Sequence, residues 1–108
     1  MTRSPGIARK EIMTSDHLAS FLHAAIAEEM RHIRARIEQL AELLASDETF
    51  ALKYMEQFQT FDMLIQCTDE SAAVLDRLAE GVRSHEAVAG VRLEAVQQRL
   101  RSALAQAA

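Results

Sequence analysis

Apolar residues recur along the chain every three or four positions, which is the spacing of a helix that buries one face. The first run is Leu18, Leu22, Ile26, Met30, Ile33, Ile37, Leu40 and Leu44. The second is Phe50, Tyr54, Phe58, Phe61, Ile65, Thr68, Ala72, Leu75, Ala79 and Val82, and the third, which is narrower, is Ala89, Leu93, Val96, Leu100 and Leu104. No stretch alternates with the period of a strand, so the pattern predicts an all-α fold.

Capping residues separate the three runs. Thr14-Ser15-Asp16 has the chemistry of an N-cap for a first helix, and Ser46-Asp47-Glu48 ends that helix and caps a second. Gly81 is a candidate C-cap for the second helix, and Ser84 is a candidate N-cap for a third. We therefore predict a mobile arm over residues 1–13 and one helical domain over 14–108, with helices over about 15–45, 48–82 and 85–105.

The lengths of the first two helices bear on assembly. The short connection between them predicts a long antiparallel hairpin, followed by the shorter C-terminal helix. Each long helix measures about 45 Å, whereas a compact domain of this size has a radius of gyration of only about 13 Å. Such a rod leaves apolar surface that the third helix covers only in part. We predict a four-helix-bundle homodimer, with a monomeric three-helix bundle as the alternative.

Composition narrows the class of protein. Apolar residues make up 49 % of the chain, with 3 Gly and 1 Pro, which argues against disorder and favours helix. The net charge of −4 argues against nucleic-acid binding. Cys67 is the single cysteine, so no intramolecular disulfide can form. Because no secretory signal and no apolar run of ~20 residues is present, we expect a soluble cytoplasmic protein that does not enter membranes.

Two polar residues lie beside the apolar stripe of the second helix. At 100° per residue, Asp62 lies about 100° and Gln66 about 140° from the stripe centre, so both are predicted to face solvent one turn apart. A carboxylate and an amide at this spacing can serve phosphoryl chemistry, because one can grip a cation while the other holds a water. The same spacing also fits two ordinary solvated side chains.

The segment around this pair resembles a known active site. Phe58-Gln59-Thr60-Phe61-Asp62-Met63-Leu64-Ile65-Gln66 is similar to the active-site segment of the CheZ-type chemotaxis phosphatases. That family has a Phe-Gln pair close to an Asp-x-x-x-Gln on the second helix of a long hairpin, which dimerises into a four-helix bundle. Here Thr60 and Phe61 separate the Phe-Gln pair from Asp62, and Ile65 stands where the family has glycine.

The resemblance implies a role for each residue. Gln66 would orient a water for attack on the aspartyl phosphate of a response regulator, and Asp62 would pair with a regulator lysine. The regulator would supply Mg²⁺, so the chain needs no cofactor of its own. Little more than positioning is required, because an aspartyl phosphate is already reactive. Met55, Gln59 and Asp69 are expected to contact the same partner, Met55 as an exposed apolar side chain on the face of Asp62.

Three alternatives stay open. A helical adaptor without catalytic activity would bind a chemotaxis or signalling protein through the same fold. Glu29 and His32 have the Glu-x-x-His spacing of di-metal bundles, although the second helix offers no inward carboxylate at mid-length. Histidine phosphotransfer would use one of the four histidines, His17, His23, His32 and His85.

The aromatic residues form the last prediction. Phe50, Tyr54, Phe58 and Phe61 lie on the apolar stripe of the second helix, and Phe21 lies near the stripe of the first. We expect all five to pack together in the core.

Overall fold

Two helices that run along the molecule form an antiparallel hairpin in the computed structural model, which describes the backbone of residues 4–107 and the side chains of residues 17–107. The helices are α1 (Ser4–Ala45), α2 (Glu48–Lys53), α3 (Met55–Ala79), α4 (Ser84–Ala89) and α5 (Glu94–Ala107). No strand occurs between residues 4 and 107, so the predicted all-α class and the hairpin are confirmed.

The first helix is longer than the sequence predicted. α1 begins at Ser4, so Thr14-Ser15-Asp16 lies within the helix and is not its N-cap. Good helix formers such as Arg9, Lys10 and Glu11 precede this segment and allow the helix to continue through it. The mobility of residues 1–13 stays a prediction, and residues 1–3 lie outside the part that the structure describes.

The turn at the tip of the hairpin follows the predicted capping. The Asp47 carboxylate accepts a hydrogen bond of 3.1 Å from the backbone N–H of Phe50, which caps α2. The predicted helix 48–82 is then bent at Tyr54, where φ is −117° and ψ is 34°. Hydrogen bonds continue through the bend, from Tyr54 N–H to the Phe50 carbonyl (3.0 Å) and from Phe58 N–H to the Tyr54 carbonyl (3.2 Å).

Gly81 ends α3 as predicted. Its φ of +94° lies in the left-handed region, which glycine enters without a steric penalty. The N–H of Val82 donates to the Arg77 carbonyl (2.9 Å), and the N–H of Gly81 donates to the Leu78 carbonyl (3.1 Å). This pair of bonds is a Schellman motif, which satisfies the last carbonyls of the helix and reverses the chain.

Ser84 is the first residue of α4 and Arg83 is the N-cap, without a side-chain cap hydrogen bond, so the prediction of Ser84 as N-cap is wrong.

The predicted third helix is divided into α4 and α5 by contacts that α3 makes. Arg77 reaches across from α3, and its Nε donates to the Ala87 carbonyl at 2.9 Å. The guanidinium lies against Gly90, where a Cβ would come within 3.0 Å of Arg77 Cζ. Glu70, also from α3, accepts the N–H of Arg92 at 2.7 Å. These side chains replace helical hydrogen bonds at the elbow between α4 and α5.

α3 lies between α1 and the α4–α5 pair. The core joins α3 to α4 and α5 and consists of Val74, Ala87, Val91 and Val96, with Cys67, Leu78, Val82, Leu93 and Leu100 packed around them. Within the described residues, α1 contacts α2 and α3 but neither α4 nor α5. The molecule measures 72 × 32 × 17 Å and has a radius of gyration of 19.5 Å, so it is long and flat.

The seam between α1 and α3 is shallow. Ala27 and Ala72 are buried there, and no large side chain between residues 17 and 107 is fully buried. Many apolar side chains of the hairpin stay exposed instead, among them Leu18, Leu22, Ile26, Ile33, Leu40, Leu43, Leu52, Met55, Met63 and Leu64.

The aromatic cluster forms without Phe21. Ring centroids are 4.5 Å apart for Phe50 and Tyr54, and Phe58 lies 6.3 Å from Phe50 and 5.8 Å from Phe61. Phe21 is 72 % exposed, and the other four aromatic residues are only partly buried and lie outside the buried core, so the prediction that all five pack together in the core is wrong. Antiparallel pairing places Phe21 near Ala79, about 30 Å along the hairpin from this cluster.

Within the described part of the chain, no helix is both long enough and apolar enough to span a lipid bilayer.

Candidate functional site on the polar face of the hairpin

The five residues singled out from the sequence form one row on α3. Met55, Gln59, Asp62, Gln66 and Asp69 follow one another at steps of three and four, and all five side chains are exposed. These steps keep the row on one side of the helix over a length of about 21 Å. The predicted exposure of Asp62 and Gln66 is therefore confirmed, and we call this side of α3 and the adjoining side of α1 the polar face.

Asp62 lies in an acidic groove between α1 and α3. The groove has a volume of about 410 Å³, and Glu38 and Glu42 of α1 line it together with Phe58 and Ile65. Within residues 17–107, the Asp62 carboxylate forms neither a hydrogen bond nor an ion pair. Glu38 is paired with Arg34, whereas Asp62 and Glu42 form no ion pair within residues 17–107, so this groove favours a cationic group of a partner over an anionic one.

Gln66 borders a different groove, on the side of α3 that faces α5. This groove has a volume of about 250 Å³ and is lined by Gln66, Asp69, Glu70, Arg92 and Leu93. The Gln66 amide is exposed and makes no hydrogen bond to any residue in the described part of the chain. Both its N–H donors and its carbonyl acceptor are therefore available to a water or a partner.

Arg92 is the member of this site that sequence reasoning missed. The side chain of Glu70 is only 13 % exposed. Its carboxylate accepts a hydrogen bond of 2.7 Å from the backbone N–H of Arg92 and lies 3.6 Å from Arg92 Nε. The Arg92 side chain is otherwise free in solvent, beside Gln66. Twenty-six positions separate Arg92 from Gln66, and no spacing signal connects them, because only the packing of α4 and α5 on α3 brings them together.

Asp69 is partly engaged in holding the hairpin together. Its carboxylate lies 3.2 Å from Arg34 Nε of α1, and Arg34 Nη1 also lies 3.1 Å from Glu38. About one helical turn away on α1, Arg31 donates a hydrogen bond to the carboxylate of Asp76 on α3. The hydrogen bond that Arg31 donates to Asp76 raises the pKa of this guanidinium. The polar face is thus crossed by ion pairs between its two helices.

Met55 and Gln59 extend the row toward the tip of the hairpin. Met55 is the first residue of α3 and lines a groove with Leu52 and Tyr54 at the bend. Gln59 lies between Met55 and Asp62 and is exposed. A partner that covers the whole row would therefore meet apolar surface at one end and charged surface at the other.

The residues of the alternative chemistries lie apart from this row. Glu29 and His32 are exposed on α1, and no group of three or more His, Cys, Asp or Glu residues within the described chain could hold a metal ion. Cys67 packs against the core between α3 and α5. His23 is partly buried, and its Nδ1 has no hydrogen-bond partner within residues 17–107, whereas His17 and His85 are exposed.

Comparison with known proteins was negative. No protein-family model, no curated protein and no solved structure matches this chain significantly.

Proposed function

We propose that this chain binds a phosphorylated response regulator on the polar face of the hairpin and promotes hydrolysis of its aspartyl phosphate. The observation that carries the proposal is the exposed pair Asp62 and Gln66, one turn apart and free of bonds within the described chain. The resemblance of residues 58–66 to the CheZ-type segment supports the same function. The protein would then act in bacterial chemotaxis or two-component signalling, in the cytoplasm.

The division of charge along the polar face fits this chemistry. Asp62, flanked by Glu38 and Glu42, suits a lysine of the regulator. One turn along α3, the neutral amide of Gln66 can hold a water without repelling the phosphoryl group, and Arg92 offsets the charge of the carboxylates of Asp69 and Glu70 in the same groove.

The reaction needs no cofactor beyond the Mg²⁺ that the regulator would supply. Water held by Gln66 attacks phosphorus, the bond between phosphorus and the aspartyl oxygen breaks, and the carboxylate leaves with the bonding electrons. The products are inorganic phosphate and the free aspartate of the regulator. Mg²⁺ held by the regulator would offset charge on the phosphoryl oxygens, so this chain contributes positioning and a lysine contact.

The test is the decay of phosphorylated response regulators from the same genome, with and without this protein. Wild type should accelerate the decay of at least one phosphorylated regulator. Gln66→Ala should lower the rate of this accelerated decay about 100-fold, as the loss of one positioned polar group does in other enzymes. The fold should be unchanged, because Gln66 is exposed.

Gln98→Ala is the matched control, since it removes an exposed glutamine from α5, away from the polar row. Its activity should equal that of wild type. Full activity of Gln66→Ala, or no acceleration of any regulator by wild type, would contradict the proposal.

The second candidate is an adaptor that binds a signalling protein without changing its phosphorylation. The exposed apolar side chains Leu52 and Met55 at the bend favour a protein contact there. Binding of a regulator with unchanged phosphate decay would support this function and exclude the first.

A further inference from the structure

The groove that Gln66 borders contains one basic side chain. Of the residues that line it, Arg92 alone is positively charged, and residues 58–66 of α3 contain no basic residue. The groove has a volume of about 250 Å³. Because a water occupies about 30 Å³ in the liquid, this volume has room for a phosphoryl group together with the attacking water.

The backbone that carries Arg92 is held from two sides. Glu70 of α3 accepts the N–H of Arg92, and Gln97 of α5 donates through Nε2 to the carbonyls of Ala89 (3.1 Å) and Val91 (3.0 Å). Both side chains are themselves partly buried. Hydrogen bonds from such side chains to backbone groups rigidify a short connection. The backbone of Arg92 therefore keeps one position relative to α3.

The guanidinium of Arg92 is oriented at one edge and free at the other. Its Nε lies 3.6 Å from the Glu70 carboxylate, while the Arg92 side chain as a whole is 90 % exposed. Within residues 17–107, Nη1 and Nη2 of Arg92 form no hydrogen bond. A guanidinium carries five N–H donors in a planar fork, so this free edge offers paired donors that match two oxygens of a phosphoryl group.

The carboxylates that border the groove each face an arginine. Glu70 faces Arg92, and the Asp69 carboxylate lies 3.2 Å from Arg34 Nε across the seam with α1, where Arg34 is shared with Glu38. These contacts reduce the negative potential at the groove. An anionic group of a partner can therefore approach the free edge of Arg92.

The geometry points to Arg92 as a second catalytic residue, which contacts the phosphoryl group while Gln66 holds the water. This inference rests on the proposed function and deepens it. Nη1 and Nη2 of Arg92 donate to phosphoryl oxygens and offset the charge on them as the bond between phosphorus and the aspartyl oxygen breaks. Glu70 is a positioning residue, because it orients the guanidinium and holds the backbone of Arg92 without contact to the substrate.

The first test measures kcat and KM for a phosphorylated regulator whose decay wild type accelerates. Arg92→Ala should lower kcat at least about 10-fold, because an arginine on a transferring phosphoryl group contributes about 10³-fold or more in other enzymes. Arg92→Lys keeps the charge but loses the fork, so it should restore only part of the rate. Arg101→Ala is the control and should keep wild-type activity, since it removes an exposed arginine of α5 outside the groove.

A second measurement separates contact with the phosphoryl group from contact with the regulator surface. Beryllofluoride and Mg²⁺ on the regulator stand in for the phosphoryl group, and titration calorimetry gives the Kd of the loaded and the unloaded regulator. Arg92→Ala should raise the Kd of the loaded regulator about 10-fold and leave that of the unloaded one unchanged. An equal rise for both would assign Arg92 to a regulator side chain and overturn the inference.

The role of Glu70 is tested through Arg92. Glu70→Gln keeps an oxygen that can accept the N–H of Arg92 but removes the charge that orients the guanidinium. It should lower kcat by less than Arg92→Ala does, with KM and the thermal unfolding midpoint unchanged. In the Arg92→Ala background it should have no further effect on kcat, because no guanidinium is left to orient. An additional loss in the double variant would contradict the positioning role.

Failure of this inference and failure of the proposed function give different results. If wild type accelerates the decay of a regulator, Gln66→Ala loses that activity and Arg92→Ala keeps it, the role of Arg92 is overturned and the proposed function stands. If wild type accelerates the decay of no regulator, both are overturned. Circular dichroism checks that Arg92→Ala is folded, as its exposed position leads us to expect.

Discussion

The two sides of α3 are held by different means. On the side of α4 and α5, valine and alanine side chains are buried, and Arg77 and Glu70 bind backbone groups of the elbow directly. On the side of α1, two alanines are buried, ion pairs cross the polar face, and leucines and isoleucines stay exposed. Local stability follows buried contacts, so the α3–α5 side is expected to be more stable than the α1–α3 seam.

The largest expected effect appears when an apolar residue is replaced by aspartate on each of the two sides. Val91→Asp places a charge in the core between α3 and α5 and should lower the free energy of unfolding by more than about 3 kcal/mol. Leu22→Asp, on exposed surface of α1, should change the stability of the monomer by less than about 0.5 kcal/mol. Denaturant unfolding of dilute protein measures both free energies. Equal losses of stability in the two variants would show that the two sides do not differ in buried contacts.

A smaller effect is expected where α3 turns into α4. Gly81→Ala should lower the free energy of unfolding by about 1–2 kcal/mol, because a side chain resists a φ of +94°. No atom lies within 4 Å of the added Cβ, so the loss reports backbone strain alone. Thermal unfolding measures it. Gly81→Asn is the control and should lose less, since asparagine tolerates the left-handed region; an equal loss would point to another cause.

The smallest effect concerns the ion pairs of the α1–α3 seam. Asp76→Ala removes the contact with Arg31 and should cost no more than about 1 kcal/mol, because both side chains are well exposed. The loss should shrink further in 1 M salt, which screens exposed charges. Urea unfolding at low and high salt tests this, and a loss above 2 kcal/mol that salt does not reduce would show that the seam relies on charge more than its geometry indicates.

Local signals in the sequence were reliable at the tip of the hairpin and at the C-terminus of α3, but not at Thr14-Ser15-Asp16, which lies inside α1. Asp47 and Gly81 act where they were predicted to act, because a capping carboxylate and a glycine at positive φ depend on neighbouring residues only. The exposure of Asp62 and Gln66 was also predictable, since the angle between a residue and the apolar stripe follows from helix geometry.

Other features required the packed structure. The bend at Tyr54 and the elbow at Gly90 interrupt helices whose sequences continue the pattern, and the elbow depends on Arg77 and Glu70 from α3. Phe21 carries an apolar side chain that the antiparallel pairing leaves at the wrong end of the hairpin for the aromatic cluster. Arg92 reaches the candidate site only because α4 and α5 pack on α3 and Glu70 binds its backbone.

By itself, the sequence determined the helical class, the hairpin and the side of α3 on which the candidate pair lies, because periodicity reports which side of a helix is apolar. It could not determine which neighbour covers that side. The tertiary structure decided that α4 and α5 pack opposite α1, which brings Arg92 to Gln66 and leaves apolar side chains of α1 such as Leu18, Leu22 and Ile33 exposed. The physical reason is that burial is not directional, so equally apolar stripes can be covered by different partners until the packing of the whole chain selects one.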